Sequence, residues 1–583
     1  MMIDEESKEH GAVHREQVHD NFTPYRQPHF WITFLSLSIA FTAGMLGTST
    51  LWNQLRGNVV KDLGPAEASA VAWAWPTLLF TQTLSCIFFG RLSDLVGRRF
   101  VFVIGNFIAF IGFLSAGRAK NGSTVAGLSV LVGIGTGIQL MGPFLALAEL
   151  VPVRQRFTIV GSCISLTSPI FAVSPAIAQA VFEKSDEKWR WTYSINAVFS
   201  FLAFIGLLVS YHPPSYKQLH SDPSANHLKS KDWTGLAFLT VSCGLFTYFV
   251  LLGRSVWAWK SAQQITLTTT SGLFFVGVLI YEFVYGHEHR AFPRYVLRDW
   301  KVLSQILIAA GSSVMLWFDP LAFTLLEQLM RPGSTMEKAW EISIVCAGVA
   351  VGWILGSVFL ARPKWIKWQL GASVAIQSAF LVATASVRYN TQARLRALLV
   401  LTGVGQGYAM VISHLTPGIT SSKHDSGVIV GLTIAARNLL VAIFLSVFES
   451  IAVPRLEKKT VTYISEGAIR SGLPVTSLPA LFQALLAVQS GASPAALLEV
   501  PGVNLNVIQE AQLGGLRAIT ETWHFVMQIA ATYLIPVAIL ALLGPATDEY
   551  LSSVTWVRLG RLRILGRRRK DVAAIETRAV NET

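Results

Sequence analysis

The sequence predicts an all-α transmembrane protein of about fourteen helices, and three observations carry that prediction. Hydrophobic residues make up 52% of the 583-residue chain and charged residues only 14%, and the mean hydropathy of +0.48 lies far above that of soluble globular chains. Runs of roughly 20 apolar residues, enough to cross a hydrocarbon core about 30 Å thick, recur along the chain between short polar connections. Much of the +13 net charge is concentrated after the last apolar run, from Arg558 to Lys570, where basic residues anchor a chain to an anionic membrane surface.

Taken in order, the apolar runs place helices at 30–51, 70–90, 100–116, 124–148, 158–182 and 191–211. A second set follows at 233–252, 265–285, 302–327, 340–361, 369–387, 396–416, 427–453 and 523–545. An even number of crossings puts both termini on one side, and the basic tail with Arg561, Arg563 and Arg567 assigns that side to the cytoplasm. The expected organisation is a cytoplasmic N-tail (1–29), a six-helix bundle (30–211) and a Pro- and Lys-rich cytoplasmic linker (212–232). Two additional helices (233–285), a second six-helix bundle (286–545) and a basic cytoplasmic C-tail (546–583) follow. Residues 454–522 are expected as a long outer loop whose LPALFQALLAVQSGASPAALL stretch forms amphipathic helices lying on the membrane.

Composition and motifs exclude several classes. No GxxxxGK[ST] loop is present to bind nucleotide. The basic tail lacks the aromatic and motif context of nucleic-acid binding. Cys86, Cys163, Cys243 and Cys346 all fall in apolar runs without metal-ligand spacing, which disfavours disulfides and structural zinc. The close His sets (His10, His14 and His19; His287 and His289) lack acidic companions, so neither a cofactor, a metal centre nor an enzyme is expected.

An internal echo suggests two related halves. The fourth helix carries Gly133-Ile-Gly135-Thr-Gly137 and the twelfth Gly403-Val-Gly405-Gln-Gly407, each followed by an apolar run and a proline. The match pairs fourth helix with fourth helix if helices 7 and 8 are insertions between two six-helix bundles; alternating glycine also serves simple close packing.

The most specific motif is Gly90-Arg-Leu-Ser-Asp94-Leu-Val-Gly97-Arg98-Arg99 after the second helix. Gly90 permits a tight helix end, Gly97 a sharp turn, and Asp94 can pair with Arg98 or with a neighbouring helix terminus. Ala148-Glu149-Leu-Val-Pro152-Val-Arg-Gln-Arg156 closes the fourth helix, and Glu149 at the hydrocarbon edge calls for an arginine partner. The first of these motifs resembles the G-x-L-a-D-r-x-G-r-k signature of the major facilitator superfamily. With Gly142–Pro152 and the Phe292-Pro-Arg-Tyr-Val-Leu-Arg298 segment, residues 30–545 resemble the fungal trichothecene efflux pump and siderophore transporter group, among the 14-helix drug:proton antiporters. The resemblance implies two six-helix bundles plus two inserted helices, a small-molecule substrate, coupling to protons, and a multi-pass monomer in the plasma membrane, with vacuolar or vesicle membranes as alternatives. It implies a gate built from Gly90, Asp94, Gly97, Arg98, Arg99, Glu149 and Arg156. It also implies efflux of a hydrophobic or amphipathic toxin, drug or secondary metabolite, with siderophore-iron import by proton symport as the alternative.

The chain departs from the pattern at two places. Ser129 stands where the superfamily carries an arginine ahead of the fourth-helix glycines, so a proton role carried by that arginine does not transfer. Ser174-Pro175-Ala176-Ile177-Ala178 keeps a proline but not the antiporter glycines. Coupling and binding candidates are therefore intramembrane polar groups. Arg437 is a candidate to hold an anionic ligand or to pair with an acid, Asp319 is a candidate protonation site beside Glu327, and Gln139 and His414 face one another if the repeat holds, although His414 also suits a helix-to-helix hydrogen bond. Trp73, Trp75, Trp317 and Trp353 suit aromatic contacts, and for most of them the membrane interface is the preferred location.

Overall fold

The computed structural model describes residues 25, 27–213, 232–253, 256–284, 295–314, 335–360, 364–387, 391–421, 425–489 and 494–551. Thirteen helices among them are long and apolar enough to cross a membrane. We number the helices α1 (Pro28–Gln54), α2 (Ala74–Val96), α3 (Arg98–Ala116), α4 (Gly122–Leu150), α5 (Val153–Lys184), α6 (Arg190–Ser210), α7 (Trp233–Leu252) and α8 (Ala262–Val284). The second half contains α9 (Trp300–Ser313), α10 (Thr335–Phe359), α11 (Ile366–Ala383), α12 (Gln392–Thr420), α13 (Ser426–Arg470) and α14 (Leu505–Leu543). The expected ninth helix is represented by its first 14 residues; the rest of it, with Asp319, Glu327 and Trp317, lies outside the described residues.

Helix starts are set by side chains that satisfy the first free N–H groups. Asn121 accepts from Thr124 N, Asp232 from Gly235 N and Asn504 from Val507 N, at 2.7–2.9 Å. Within α5 the helix breaks between Ser165 and Ser168, where Pro169 supplies no N–H to continue the ladder. The outer faces carry rows of exposed apolar side chains, such as Val198, Leu202 and Val209 on α6 and Leu273, Val276 and Ile280 on α8. Such rows are stable only against lipid.

The two glycine runs make equivalent contacts. A Cβ at Gly133 or Gly137 would run into α2 at Leu78, Thr81, Gln82 or Ser85, and one at Gly135 would meet Ala109 of α3. In the other half, Gly403 and Gly407 press on α10 at Val349 and Gly352, while Gly405 presses on Ser373 and Gln377 of α11. Helix α4 is thus wedged between α2 and α3 as α12 is between α10 and α11, the relation that the repeat requires when α7 and α8 are set aside. Those two pack together, with α7 lying against both α2 and α13 at the junction of the halves.

Residues 454–522 differ from expectation. Helix α13 runs through Pro454 to Arg470, and α14 begins at Leu505, so most of the segment continues the two membrane helices and does not form a loop lying on the surface. At 1.5 Å per residue its 45 residues measure about 68 Å, roughly twice a hydrocarbon thickness. The reason is that charge ends an apolar run without ending a helix. Lys459 and Glu521 meet at 2.8 Å across the two extensions, and Gly467 and Gly514 let the backbones touch at Glu510 and Tyr463. Beyond them Ile464, Ala468, Leu481, Val500, Val507 and Ala511 bury a small separate core under the short helix Leu478–Gln489.

At the end of the bundle opposite the Gly90–Arg99 loop, Asp62 ties the α1–α2 connection to the start of α6. It receives Lys188 Nζ and Arg190 Nη1 at 2.6 Å and Trp189 Nε1 at 2.9 Å. Partial burial pushes its carboxyl up, but the hydrogen bonds from Lys188, Arg190 and Trp189 and the Arg190 charge outweigh it and hold the group at about 2, below its ordinary 3.8. A carboxyl with a lowered folded-state pKa contributes stability that is complete above 3.8 and disappears as pH falls toward about 2. Asp62→Asn therefore melts a few degrees below the natural protein at neutral pH, and thermal unfolding in detergent across pH 2–5 shows that gap closing over the same window.

Candidate functional site

The site begins with two helices that approach to backbone contact. On α2, Cys86 and Gly90 lie one turn apart; on α13, Gly427 and Gly431 do the same, and the two small pairs face each other across the halves. A Cβ at Gly90 would sit 2.5 Å from the Gly427 carbonyl oxygen, and one at Gly431 would collide with the Cys86 carbonyl. Small residues at i and i+4 are what let membrane helices touch along their backbones.

This approach brings Asp94 under the first turn of α13. Its carboxylate oxygens accept from Gly427 N at 3.0 Å and Val428 N at 3.1 Å. A carboxylate from one half thereby caps a helix of the other, gaining charge-assisted hydrogen bonds and the positive end of the helix dipole. Gly97, at φ +113°, makes the turn that follows, a backbone conformation that favours glycine. That turn returns Arg98 beside Asp94 at 3.3 Å, against Glu149, and onto Ser426 Oγ at 2.8 Å. Ser426 Oγ also lies 3.4 Å from Glu149 Oε1. A second ion pair joins Arg91 to Asp425 at 2.7 Å, again across the halves.

Arg98, Asp94 and Glu149 are each about nine-tenths buried, so the charges balance one another in a low-dielectric setting; removing one member of such a pair costs about 3–5 kcal/mol. The enclosed space bordered by Glu149, Arg156, Leu415, Gly418 and Val430 is only about 10 Å³, room for no more than about one water. Arg99 is placed apart from this latch, donating to Leu208 O at 2.9 Å within the first half.

A second seam joins α5 to α10. Thr158 donates to Leu360 O, Ser165 to Ser357 Oγ and Ser168 to Ala350 O at 3.1–3.3 Å, and Ala176 N donates to Ser343 Oγ at 3.2 Å. Thr335 meets Glu183 at the far end. The halves are therefore in contact along the whole of this pair.

Between the two seams lies a buried polar set. Gln82 donates to Thr48 and Thr136 at 3.1 Å, and Asn438 donates to Gln82 Oε1 at 3.1 Å. Arg437 is 1% exposed and donates to Asn438 Oδ1. His414 lies against Phe144 with ring centres 5.2 Å apart and the rings tilted by 33°. Gln139 is not brought to His414: it donates to Asn106 at 3.1 Å and Ser200 at 2.9 Å inside the first half. Trp353, expected at an interface, is fully buried between Phe41 and Phe171, because α10 faces the other half and not the headgroups. Asp319 falls outside the described residues. Sequence reasoning did not single out Arg91, Asp425, Gln82 and Asn438, yet one signal was present: Gly427-Val-Ile-Val-Gly431 is a GxxxG pattern in an apolar helix.

Residues 12–555 match the family described as fungal trichothecene efflux pump. The trichothecene efflux pump TRI12 of Trichoderma arundinaceum is 26% identical over 559 residues, covering 91% of this chain and 88% of its own. That of Fusarium sporotrichioides is 25% identical over 480 residues, covering 79% of this chain and 77% of its own. Among solved structures, the proton:xylose symporter XylE bound to 6-bromo-6-deoxy-D-glucose aligns with 85% of this chain and 96% of its own, at 15% identity and a TM-score of 0.46.

The latch makes a direct prediction. Asp94→Asn keeps the shape but loses the charge, and Gly431→Leu forces α13 away from Cys86; each favours opening at this end. With a reporter cysteine at Gly418, a membrane-impermeant maleimide labels both variants about tenfold faster or more than the same reporter in the natural background. Equal labelling in folded protein sinks the latch.

Proposed function

We propose, from the premise that the chain belongs to the fungal trichothecene efflux pump family, that it exports a hydrophobic or amphipathic toxin-like metabolite by alternating access driven by protons. The protein is a multi-pass membrane transporter of the major facilitator type, and its relatives are efflux pumps. The observation that carries the reading is the Asp94 cap on α13: it holds the two halves together at one end through bonds that rigid rocking of one half against the other would break and remake.

We assign the latch end to the cytoplasm, in support of which Arg91, Arg98, Arg99, Arg154 and Arg156 cluster there. Breaking the latch then admits cargo from inside, and remaking it commits the cargo outward. Two packed states of similar energy are needed for such a cycle, because an interface held by far more than its rival would not turn over. Coupling to protons rests on likeness to the drug:proton antiporters, with Asp319 as the proposed protonation site and the plasma membrane as the proposed location of a working monomer.

A trichothecene-sensitive yeast host tests the reading. Cells expressing the chain retain severalfold less of a fed trichothecene than control cells, and a protonophore abolishes the difference. Equal retention across a panel of amphipathic toxins, with the protein present at the cell surface, would falsify export. Asp319→Asn abolishes the protonophore-sensitive component while surface expression persists, and unchanged efflux removes Asp319 from the coupling role.

A further inference from the structure

Arg91 and Arg98 of the latch are charge-balanced, and among the described residues Arg437 at the centre is not. Arg91 has Asp425, and Arg98 has Asp94 and Glu149. Arg437 is 1% exposed, yet its hydrogen bonds run to the amide oxygen of its own neighbour Asn438, at 3.3 Å from Nε and 3.1 Å from Nη2. Among the described residues no carboxylate pairs with it. A guanidinium stays protonated in any protein setting, and an uncompensated buried cation is costly.

His414, on α12 and within electrostatic reach of Arg437, has its Nδ1 3.3 Å from Ser413 Oγ, but its Nε2 is buried without a hydrogen-bond partner. From His414 an unbroken chain of rings crosses between the halves. Phe144 lies 5.2 Å from His414, Phe41 6.0 Å from Phe144, Trp353 6.5 Å from Phe41, and Phe171 4.9 Å from Trp353. A cationic head at one end and an aromatic track at the other complement an amphipathic anion.

We propose that Arg437 receives the acidic group of the cargo, so that the transported compound is an organic acid whose apolar body lies along Phe144, Phe41 and Trp353. This rests on the efflux reading above and narrows it to a chemical class. The cargo supplies a negative charge that no described residue gives to Arg437, so the loaded and empty states differ in net charge at the middle of the membrane.

Equilibrium binding to the full-length protein in detergent tests it, using pyrenebutyrate and its neutral amide as probes. The natural protein binds the acid about tenfold or more tightly than the amide. Arg437→Gln brings the acid down to the affinity of the amide and leaves the amide unchanged, while Arg437→Lys retains part of the preference; an unaltered melting temperature shows that the variants are folded. Equal binding of acid and amide by the natural protein, a preference that survives in Arg437→Gln, or binding of neither probe each overturns the anion receptor. The yeast retention assay judges export separately: lower retention of a neutral toxin with no acid preference in binding leaves the pump standing and removes only this inference.

Discussion

The structure depends on one close approach, that of α2 to α13. Four small residues, Cys86, Gly90, Gly427 and Gly431, remove the side-chain layer between the two backbones, and only at that separation does the Asp94 carboxylate reach the N–H groups that open α13. The ion pairs around it follow from the cap. Arg98 can lie between Asp94 and Glu149 because Asp94 is already fixed, and Ser426 joins them because it stands on the capped turn. In hydrocarbon each of these groups would be prohibitive alone. Together they form a polar plug that is stable as a unit and loses that stability as a unit, which suits a contact that must open completely or not at all.

The two seams differ in chemistry. At the latch, charges meet charges and a helix end; along α5 and α10, the contacts are single hydroxyls from Ser and Thr reaching backbone or one another. Three of these hydroxyls also bond within their own helix: Ser165 to Gly161 O, Ser343 to Ala339 O and Ser357 to Ile354 O. Separating that pair therefore strands few polar groups, whereas separating α2 from α13 strands several. The charge-rich seam is therefore the costlier of the two to part.

Much of this was legible in the sequence, and what was not has physical causes. Hydropathy located the crossings because lipid demands a long apolar run regardless of neighbours. The Gly90–Arg99 motif announced a turn and an acid seeking a partner, since Gly97 and Asp94 are unusual choices at a membrane edge. Its partner was not announced: a backbone N–H has no side-chain signature, so the role of α13 emerged only when the fold brought Gly427 and Val428 to Asp94. Gln139 appeared to face His414 because the repeat fixes helix position but not which neighbour a side chain turns toward. Residues 454–522 were read as a loop because the apolar run ends at 453, ahead of Pro454 and the charges from Arg455 to Lys459, where the helix itself does not end.

That continuous α13 has a mechanical meaning. One end is gripped by Asp94, and the other stands clear of the hydrocarbon, clasped to α14 by Lys459 and Glu521. A rod about 68 Å in contour length pivoting by about ten degrees at its gripped end carries its tip through roughly 12 Å. The small core around Ile464 and Leu481 rides on that tip, so the folded cap is a long-armed indicator of the latch: a displacement too slight to resolve beside Asp94 becomes, at the opposite face of the membrane, a movement the width of a helix.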